Sequence, residues 1–211
     1  MKLYGYWRSS ASYRVRIALH LKQLEFDYEA VHLVKDGGEH KQEAYAQLNP
    51  AKLVPTLVDG DFELNQSLAI IEYLDSKAGP SLVPSDPKQA AVVRMLALDM
   101  ACDLQPIANL RVLQYVSDTL KGGDEGRQAW IEHWVSTAFS AFEKRLEKHA
   151  GLCCVGDEVT LADVCLVPQV YNAKRFNVDL SAYPTLMKVY DNLQHIEAFQ
   201  KAQPDQQPDA T

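Results

Sequence analysis

The chain has 211 residues, of which 47% are hydrophobic and 23% are charged, as in a globular protein of one or two domains. Its net charge of −7 argues against nonspecific binding to nucleic acid or to anionic membranes, because both need a basic face. The sequence has no membrane-length apolar run, no signal-peptide pattern and no CxxC spacing among its four cysteines, so we expect a cytoplasmic protein with reduced thiols and no metal site.

The first 79 residues predict an α/β domain. Residues 2–7 are short, aromatic and apolar, as in a strand, and residues 9–22 carry apolar side chains at helical spacing. Residues 24–33 alternate polar and apolar side chains, as in a second strand. Two strands joined by a helix imply a parallel pair with a right-handed crossover.

A hairpin and another helix complete this predicted domain. After a loop or short helix, residues 52–64 have the pattern of two strands around an Asp-Gly turn. Residues 65–79 predict a helix with Ser67 as its N-cap and Gly79 as its stop. The order β-α-β-α-β-β-α therefore predicts one mixed sheet flanked by helices.

The rest of the chain predicts helices. Residues 80–86 are rich in proline and predict a linker. Pro106 should kink the helix in which it lies, because proline removes a backbone donor. The apolar stripe of that helix consists of Ala90, Val93, Ala97, Met100 and Leu104.

Two further features lie nearer the end of the chain. Thr160 and Asp163 have the spacing of a capping box at the start of a later helix, although Asp is shorter than the usual Glu. The final segment, "QPDQQPDAT", contains no core-forming side chains, so we expect it to be mobile.

The segment "RSSASYRVRIAL", Arg8–Leu19, is similar to the signature of zeta-class glutathione transferases. That signature has two serines, a cysteine and a further serine before an aromatic residue and "RVRIAL". Ala11 stands where the class has its cysteine, which is the one clear departure. Nearly the whole chain shares the resemblance, through "KDGGEH", "LNPAKLVPTL", "QSLAIIEYL", "LQPIANL", "GDEVTLADVCLVPQVYNAKRF" and "VDLSAYPT".

The resemblance implies a fold and an activity. It implies a thioredoxin-like glutathione-binding domain over residues 1–79, a linker over 80–86, and an all-helical domain over 87–211 that lines the second-substrate site. It also implies a cytoplasmic homodimer, active in tyrosine and phenylalanine catabolism. The implied reaction converts maleylacetoacetate to fumarylacetoacetate by thiolate addition, bond rotation and elimination, with glutathione as cofactor and with transferase activity besides.

Two alternatives stay open at this point. A maleylpyruvate isomerase of the same class would use nearly the same chemistry on a shorter substrate, and the absence of the signature cysteine slightly favours it. A noncatalytic binding protein would keep only the fold. The serines of the signature segment and the segments "LVPTL" and "QSLAIIEYL" speak against this last possibility.

The turn before the first helix is the candidate site for an ionised thiol. A free thiol has a pKa of about 8.5, and the unpaired N–H groups of a helix N-terminus lower it. A serine hydroxyl can donate to the thiolate, although it is too weak a base to remove the proton. The resemblance makes Ser9 the first candidate catalytic residue and Ser10 the second, and either serine could instead be only an N-cap.

Other parts of glutathione need other partners. A cis Val54–Pro55 bond would turn the backbone of Val54 outward for strand-like pairing. Gln66 and Ser67 begin a helix and offer donors to a carboxylate, and His40 stands where the family has a glutamine. Together with these, the resemblance assigns glutathione binding to Ser9, Ser10, Ala11, Ser12, Tyr13, Arg14, Gln105, Asn109, Leu110 and Arg111.

The implied substrate is a small dicarboxylate, which needs local positive charge within an acidic protein. The candidates to bind it are Arg8, Arg14, Arg111 and Arg175. Arg14 could instead be a buried structural arginine, and Arg175 could be a solvated residue at a helix end.

Overall fold

The computed structural model describes every residue from Met1 to Thr211, and the chain divides into two compact units. The first unit contains residues 1–81 and 196–211, and the second contains residues 82–195. Residues 196–211 therefore group with the sheet-containing unit, whereas the sequence places them with the helical region. No helix is both long and apolar enough to cross a membrane.

The first unit contains a four-stranded mixed sheet in the order β2-β1-β3-β4. β1 pairs with β2 in parallel and with β3 antiparallel, and β3 pairs antiparallel with β4. Leu3 lies opposite both Tyr28 and Leu57 in this register and is fully buried. The predicted parallel pair and hairpin are thus confirmed, with the strands at β1 Lys2–Gly5, β2 Asp27–Ala30, β3 Thr56–Asp59 and β4 Phe62–Asn65.

The helices of the first unit are α1 Ser10–Leu21, α2 Glu43–Leu48, α3 Ser67–Asp75 and α10 Glu197–Ala202, and 3-10 turns lie at Lys35–Gly37 and Glu39–Lys41. Both α3 and α10 pack against α1. Because α1 is covered so completely, Arg14 and Arg16 are only 2% and 0% exposed, which is unusual for arginine.

Two predictions about this unit are wrong. The N-cap of α3 is Gln66 rather than Ser67, which is the first helical residue, and the helix ends before Gly79 is reached. The tail is not a mobile extension. Pro204 is buried, and the carboxylate of Asp209 accepts a hydrogen bond from the backbone N–H of Trp7. Polar contacts anchor the tail, and the prediction had considered only apolar ones.

The second unit is helical, with α4 Pro87–Leu98, α5 Gln105–Ile107, α6 Leu110–Gln114, α7 Gly123–His149, α8 Leu161–Arg175 and α9 Pro184–Leu193. A π-helical turn over Asp99–Leu104 precedes Pro106, and the helix stops at Ile107, close to the proline that the sequence predicts to kink it. The predicted stripe of Ala90 to Leu104 is buried throughout. α8 forms the core of this unit and packs against α4 and α9.

Candidate functional site

Ser9 is the N-cap of α1. Its backbone is extended, and its Oγ accepts a hydrogen bond from the backbone N–H of Ser12 at 3.2 Å. A hydroxyl that accepts a hydrogen bond still has its own proton to donate. The side chain is half-buried, and no acidic residue in the first turn of α1 offsets the positive end of the helix. Ser9 can therefore cap the helix and donate to an anion at the same time.

The residues after Ser9 differ sharply in accessibility. Ser10 and Ala11 are half-buried, whereas Ser12 and Tyr13 are 0% and 2% exposed. The Oγ of Ser12 accepts from the backbone N–H of Tyr6 at 3.3 Å, which holds the turn from inside. Both side chains lie in the core, and the assignment of Ser12 and Tyr13 to glutathione binding stays a prediction.

Arg14 is also buried, and this does not fit its predicted role as a substrate-binding residue. Its Nη1 donates to the Oγ of Ser67 at 2.9 Å, and both side chains belong to the interior of the first unit. The bond ties α1 to the first residue of α3. Burial of the guanidinium favours the structural alternative and disagrees with direct binding of a substrate carboxylate.

The Val54–Pro55 peptide bond is cis, as predicted. Val54 is half-buried, and neither its backbone N–H nor its C=O makes a hydrogen bond within the chain. Both groups therefore have unused capacity to pair with an extended peptide.

Two buried side chains hold the segment on which Val54 lies. Tyr45 Oη and Asn49 Nδ2 both donate to the C=O of Leu53, each at 2.7 Å. The Oγ1 of Thr56 is 3.0 Å from Tyr45 Oη and accepts from Asn49 Nδ2 at 3.3 Å. Sequence reasoning missed Tyr45 and Asn49, and the pattern of "LNPAKLVPTL" gives no clear signal for them, because it also contains Lys52 and Thr56.

The start of α3 offers a second set of donors. Gln66 is exposed and has φ 72° and ψ 110°, a left-handed backbone that costs a non-glycine residue about 1–3 kcal/mol. No acidic side chain lies in the first turn of α3. Such strain persists where the surrounding structure enforces it. Here it places the side-chain amide of Gln66 beside the N-terminus of α3.

His40 lies in the second 3-10 turn and is half-buried. Its Nδ1 is buried and has no hydrogen-bond partner. Burial, with a smaller effect of the Lys41 charge, lowers the pKa of the imidazole below its ordinary value. His40 is therefore neutral at pH 7, so it can hydrogen-bond a ligand but brings no positive charge.

The predicted residues of the second unit lie at helix ends. Asn109 is the N-cap of α6, and its Oδ1 accepts from the backbone N–H of Arg111 at 3.2 Å, which leaves its amide N–H₂ as a donor. Gln105 and Leu110, the first residues of α5 and α6, are half-buried. Arg111 is exposed.

Arg8 and Arg175 are both exposed and both stack on an aromatic ring. The guanidinium of Arg8 lies 4.0 Å from the ring centre of Trp7, and that of Arg175, the last residue of α8, lies 4.5 Å from the ring centre of Phe176. Stacking on a ring restricts the motion of a guanidinium.

The buried protein thiols are poorly suited to form a thiolate. Burial raises the pKa of Cys153 to about 12 and that of Cys154 well above its ordinary value. Cys165 is buried and Cys102 is exposed. No group of three or more His, Cys, Asp or Glu side chains is arranged to bind a metal ion.

Comparison with known proteins identifies the family. The glutathione S-transferase N-terminal domain matches residues 1–76, and the glutathione S-transferase C-terminal domain matches residues 110–202. The chain is 51% identical over 209 residues to a probable maleylacetoacetate isomerase of Vibrio cholerae, an alignment that covers 99% of this chain and 97% of the relative.

Two solved structures have nearly the same fold. One is the holo structure of a maleylpyruvate isomerase, a bacterial glutathione S-transferase of the zeta class, with a TM-score of 0.97 and 43% identity. The other is the maleylacetoacetate isomerase of Methylobacterium extorquens AM1 with bound malonate and glutathione, with a TM-score of 0.95 and 35% identity. Each comparison covers 100% of both chains.

These matches confirm the predicted fold class, a thioredoxin-like domain followed by a helical glutathione-transferase domain. The assignment of individual residues to glutathione or substrate stays a prediction. The chain belongs to the glutathione S-transferase family, in its zeta class.

Proposed function

We propose that this chain is a glutathione-dependent cis–trans isomerase that converts maleylacetoacetate to fumarylacetoacetate. Its similarity over almost the full length to maleylacetoacetate isomerases supports this substrate. The observation that carries the chemistry is Ser9, which caps α1 through its oxygen and keeps its proton for a thiolate.

The donors of the first unit fit a tripeptide with two carboxylates and an extended backbone. The unbonded N–H and C=O of Val54 suit the peptide part of glutathione. Gln66, with the N-terminus of α3, suits one carboxylate, and the half-buried imidazole of His40 suits a polar group at the other end. A solved relative binds both glutathione and malonate, a small dicarboxylate.

Bound glutathione supplies a thiolate that adds to the double bond of the enedioate, permits rotation about the resulting single bond, and leaves unchanged. Ser9 stabilises the negative sulfur by donating its hydroxyl proton in a hydrogen bond, and the positive end of α1 lowers the thiol pKa further. The exposed guanidinium groups of Arg8, Arg111 and Arg175 bind the substrate carboxylates. They also lower the energy of the negative charge that develops on the substrate.

A maleylpyruvate isomerase is the second candidate. One solved structure of that activity has a TM-score of 0.97 with this chain, and Ala11 replaces the cysteine of the class signature.

The protein acts as a cytoplasmic homodimer in this proposal, as its resemblance to the class implies. Residues 1–79 bind glutathione and supply Arg8 to the second substrate, and the helical residues from 87 onward supply Arg111 and Arg175.

Turnover measurements test the proposal. We expect isomerisation of maleylacetoacetate with glutathione and none without it, and a lower kcat/KM for maleylpyruvate under the same conditions. A higher kcat/KM for maleylpyruvate would favour the second candidate. Retention on immobilised glutathione without turnover of either substrate would instead indicate a noncatalytic binding protein.

A further inference from the structure

The C-terminal tail is attached to the turn that carries the proposed site. The Oδ2 of Asp209 accepts a hydrogen bond from the backbone N–H of Trp7 at 3.0 Å and a longer one from Tyr28 Oη at 3.4 Å. More than two hundred residues of sequence separate Trp7 from Asp209. Trp7 is only two residues before Ser9. The contact with Asp209 therefore joins the start of α1 to a segment that lies outside both the sheet and α1.

The other backbone polar group of Trp7, its C=O, is held by Arg16. Its Nη2 donates to the C=O of Trp7, and its Nε donates to the C=O of Ala202, each at 3.0 Å. Arg16 thus links the turn to the end of α10, just before the tail. Both backbone polar groups of Trp7 are bonded, one by the tail and one by a side chain that also binds the helix leading into the tail.

The surroundings remove these polar contacts in part from water. Arg16 is fully buried, and the Oδ1 of Asp209 is buried as well. Burial raises the pKa of Tyr28, so its phenol stays protonated and donates to Asp209. Burial lowers the pKa of Arg16, while Tyr28, Tyr13 and Asp209 oppose that shift in decreasing order. Hydrogen bonds to a charged group out of water contribute more than exposed ones.

Two proposed functional residues depend on the position of Trp7. Ser9 closes the turn, because its backbone N–H donates to the C=O of Tyr6 at 2.9 Å. Arg8 stacks on the buried indole of Trp7. A shift of Trp7 would therefore move the thiolate donor and one candidate substrate cation together.

We propose that Asp209 is a positioning residue for the isomerase site, through which the C-terminal tail holds the Trp7 peptide and thereby sets the placement of Arg8 and Ser9. The part of this role that concerns the substrate rests on the proposed function. The effect of Asp209 on the pKa of the bound glutathione thiol does not. Asp209 touches neither glutathione nor substrate in this proposal and acts through Trp7.

The test measures the pKa of the glutathione thiol bound to the full-length protein, from the ultraviolet absorbance of the thiolate as pH is varied. Asp209→Ala should raise that pKa and lower kcat/KM about tenfold, since small displacements of aligned groups have effects of at least this size. Asp209→Asn keeps an acceptor for the Trp7 N–H and should recover most of both values. Asp61→Asn, an exposed aspartate in the β3–β4 turn, is the matched control and should change neither.

A purely structural role would lower the melting temperature of Asp209→Ala without moving the thiol pKa, and that result would overturn the proposal. If Asp209→Ala does not fold, Tyr28→Phe removes one hydrogen bond to the same carboxylate and should raise the thiol pKa with about a threefold loss of kcat/KM. An unchanged pKa in Tyr28→Phe would then overturn it. Wild-type turnover of maleylacetoacetate tests the proposed function separately, because the thiol titration needs glutathione alone.

Discussion

The N-termini of α1 and α8 are both capped by short polar side chains. The two caps differ in how much hydrogen-bonding capacity the chain leaves unused. At α8, Asp163 is fully buried, and its Oδ1 accepts from the backbone N–H of Cys154 at 2.7 Å. Its Oδ2 accepts from the N–H and the Oγ1 of Thr160, each at 2.8 Å. The predicted capping box is confirmed, and its carboxylate is enclosed by the chain itself.

At α1, Ser9 accepts one hydrogen bond and remains half-buried with its proton unused by the chain. The comparison teaches that a capping residue indicates a helix start but not its purpose. A saturated and buried cap stabilises the fold, whereas a reachable cap with a spare donor can bind an anion.

The largest expected effect comes from separating the two roles of Ser9. Ser9→Asp keeps a good N-cap but replaces the donor with a negative charge beside the thiolate. We expect near-native stability and a loss of isomerase turnover of about a hundredfold or more, the scale for removing a donor to a developing anion. Ser9→Ala should lose turnover too and should also lose about 1 kcal/mol of stability as the cap disappears. Native turnover in Ser9→Asp would show that the cap has no part in the chemistry.

The next effect concerns the buried capping box of α8, in which Thr160 is the N-cap and Asp163 is the third helical residue. Asp163→Ala leaves three buried donors without an acceptor, and we expect it to lower the free energy of unfolding by about 3 kcal/mol. Urea denaturation measures this value. Asp86→Ala is the control, since Asp86 is an exposed N-cap of α4 that accepts only from the N–H of Gln89, and it should cost about 1 kcal/mol. Equal losses in the two variants would contradict the distinction between buried and exposed caps.

The smallest effect is expected at the exposed thiol. Cys102→Ala should leave turnover unchanged and stability within about 0.5 kcal/mol, because Cys102 lies on the surface and the reacting sulfur comes from glutathione. The buried thiols cannot replace the glutathione sulfur, since the pKa of Cys153 is raised to about 12. A tenfold loss of turnover in Cys102→Ala, measured at saturating glutathione, would indicate that a protein thiol takes part.

Much of the local structure was predictable because its causes lie close together in sequence. The stripe from Ala90 to Leu104 is buried as its spacing predicts, and the capping box of Thr160 and Asp163 forms within one helical turn. Boundaries were less predictable, since α7 begins at Gly123 within a segment typical of a loop. Packing against the rest of a unit can extend a helix into residues of poor helix propensity.

The sequence by itself determined the order of strands and helices, the start of the first helix near Ser9 and, through its motifs, the family. Only the tertiary structure decided that Arg14 is buried, that Tyr45 and Asn49 hold the segment of Val54, and that Asp209 binds the Trp7 peptide. Spacing and capping act over a few residues and leave a pattern in the sequence. Contacts between distant residues leave no such pattern, because they depend on which surfaces the completed fold brings together.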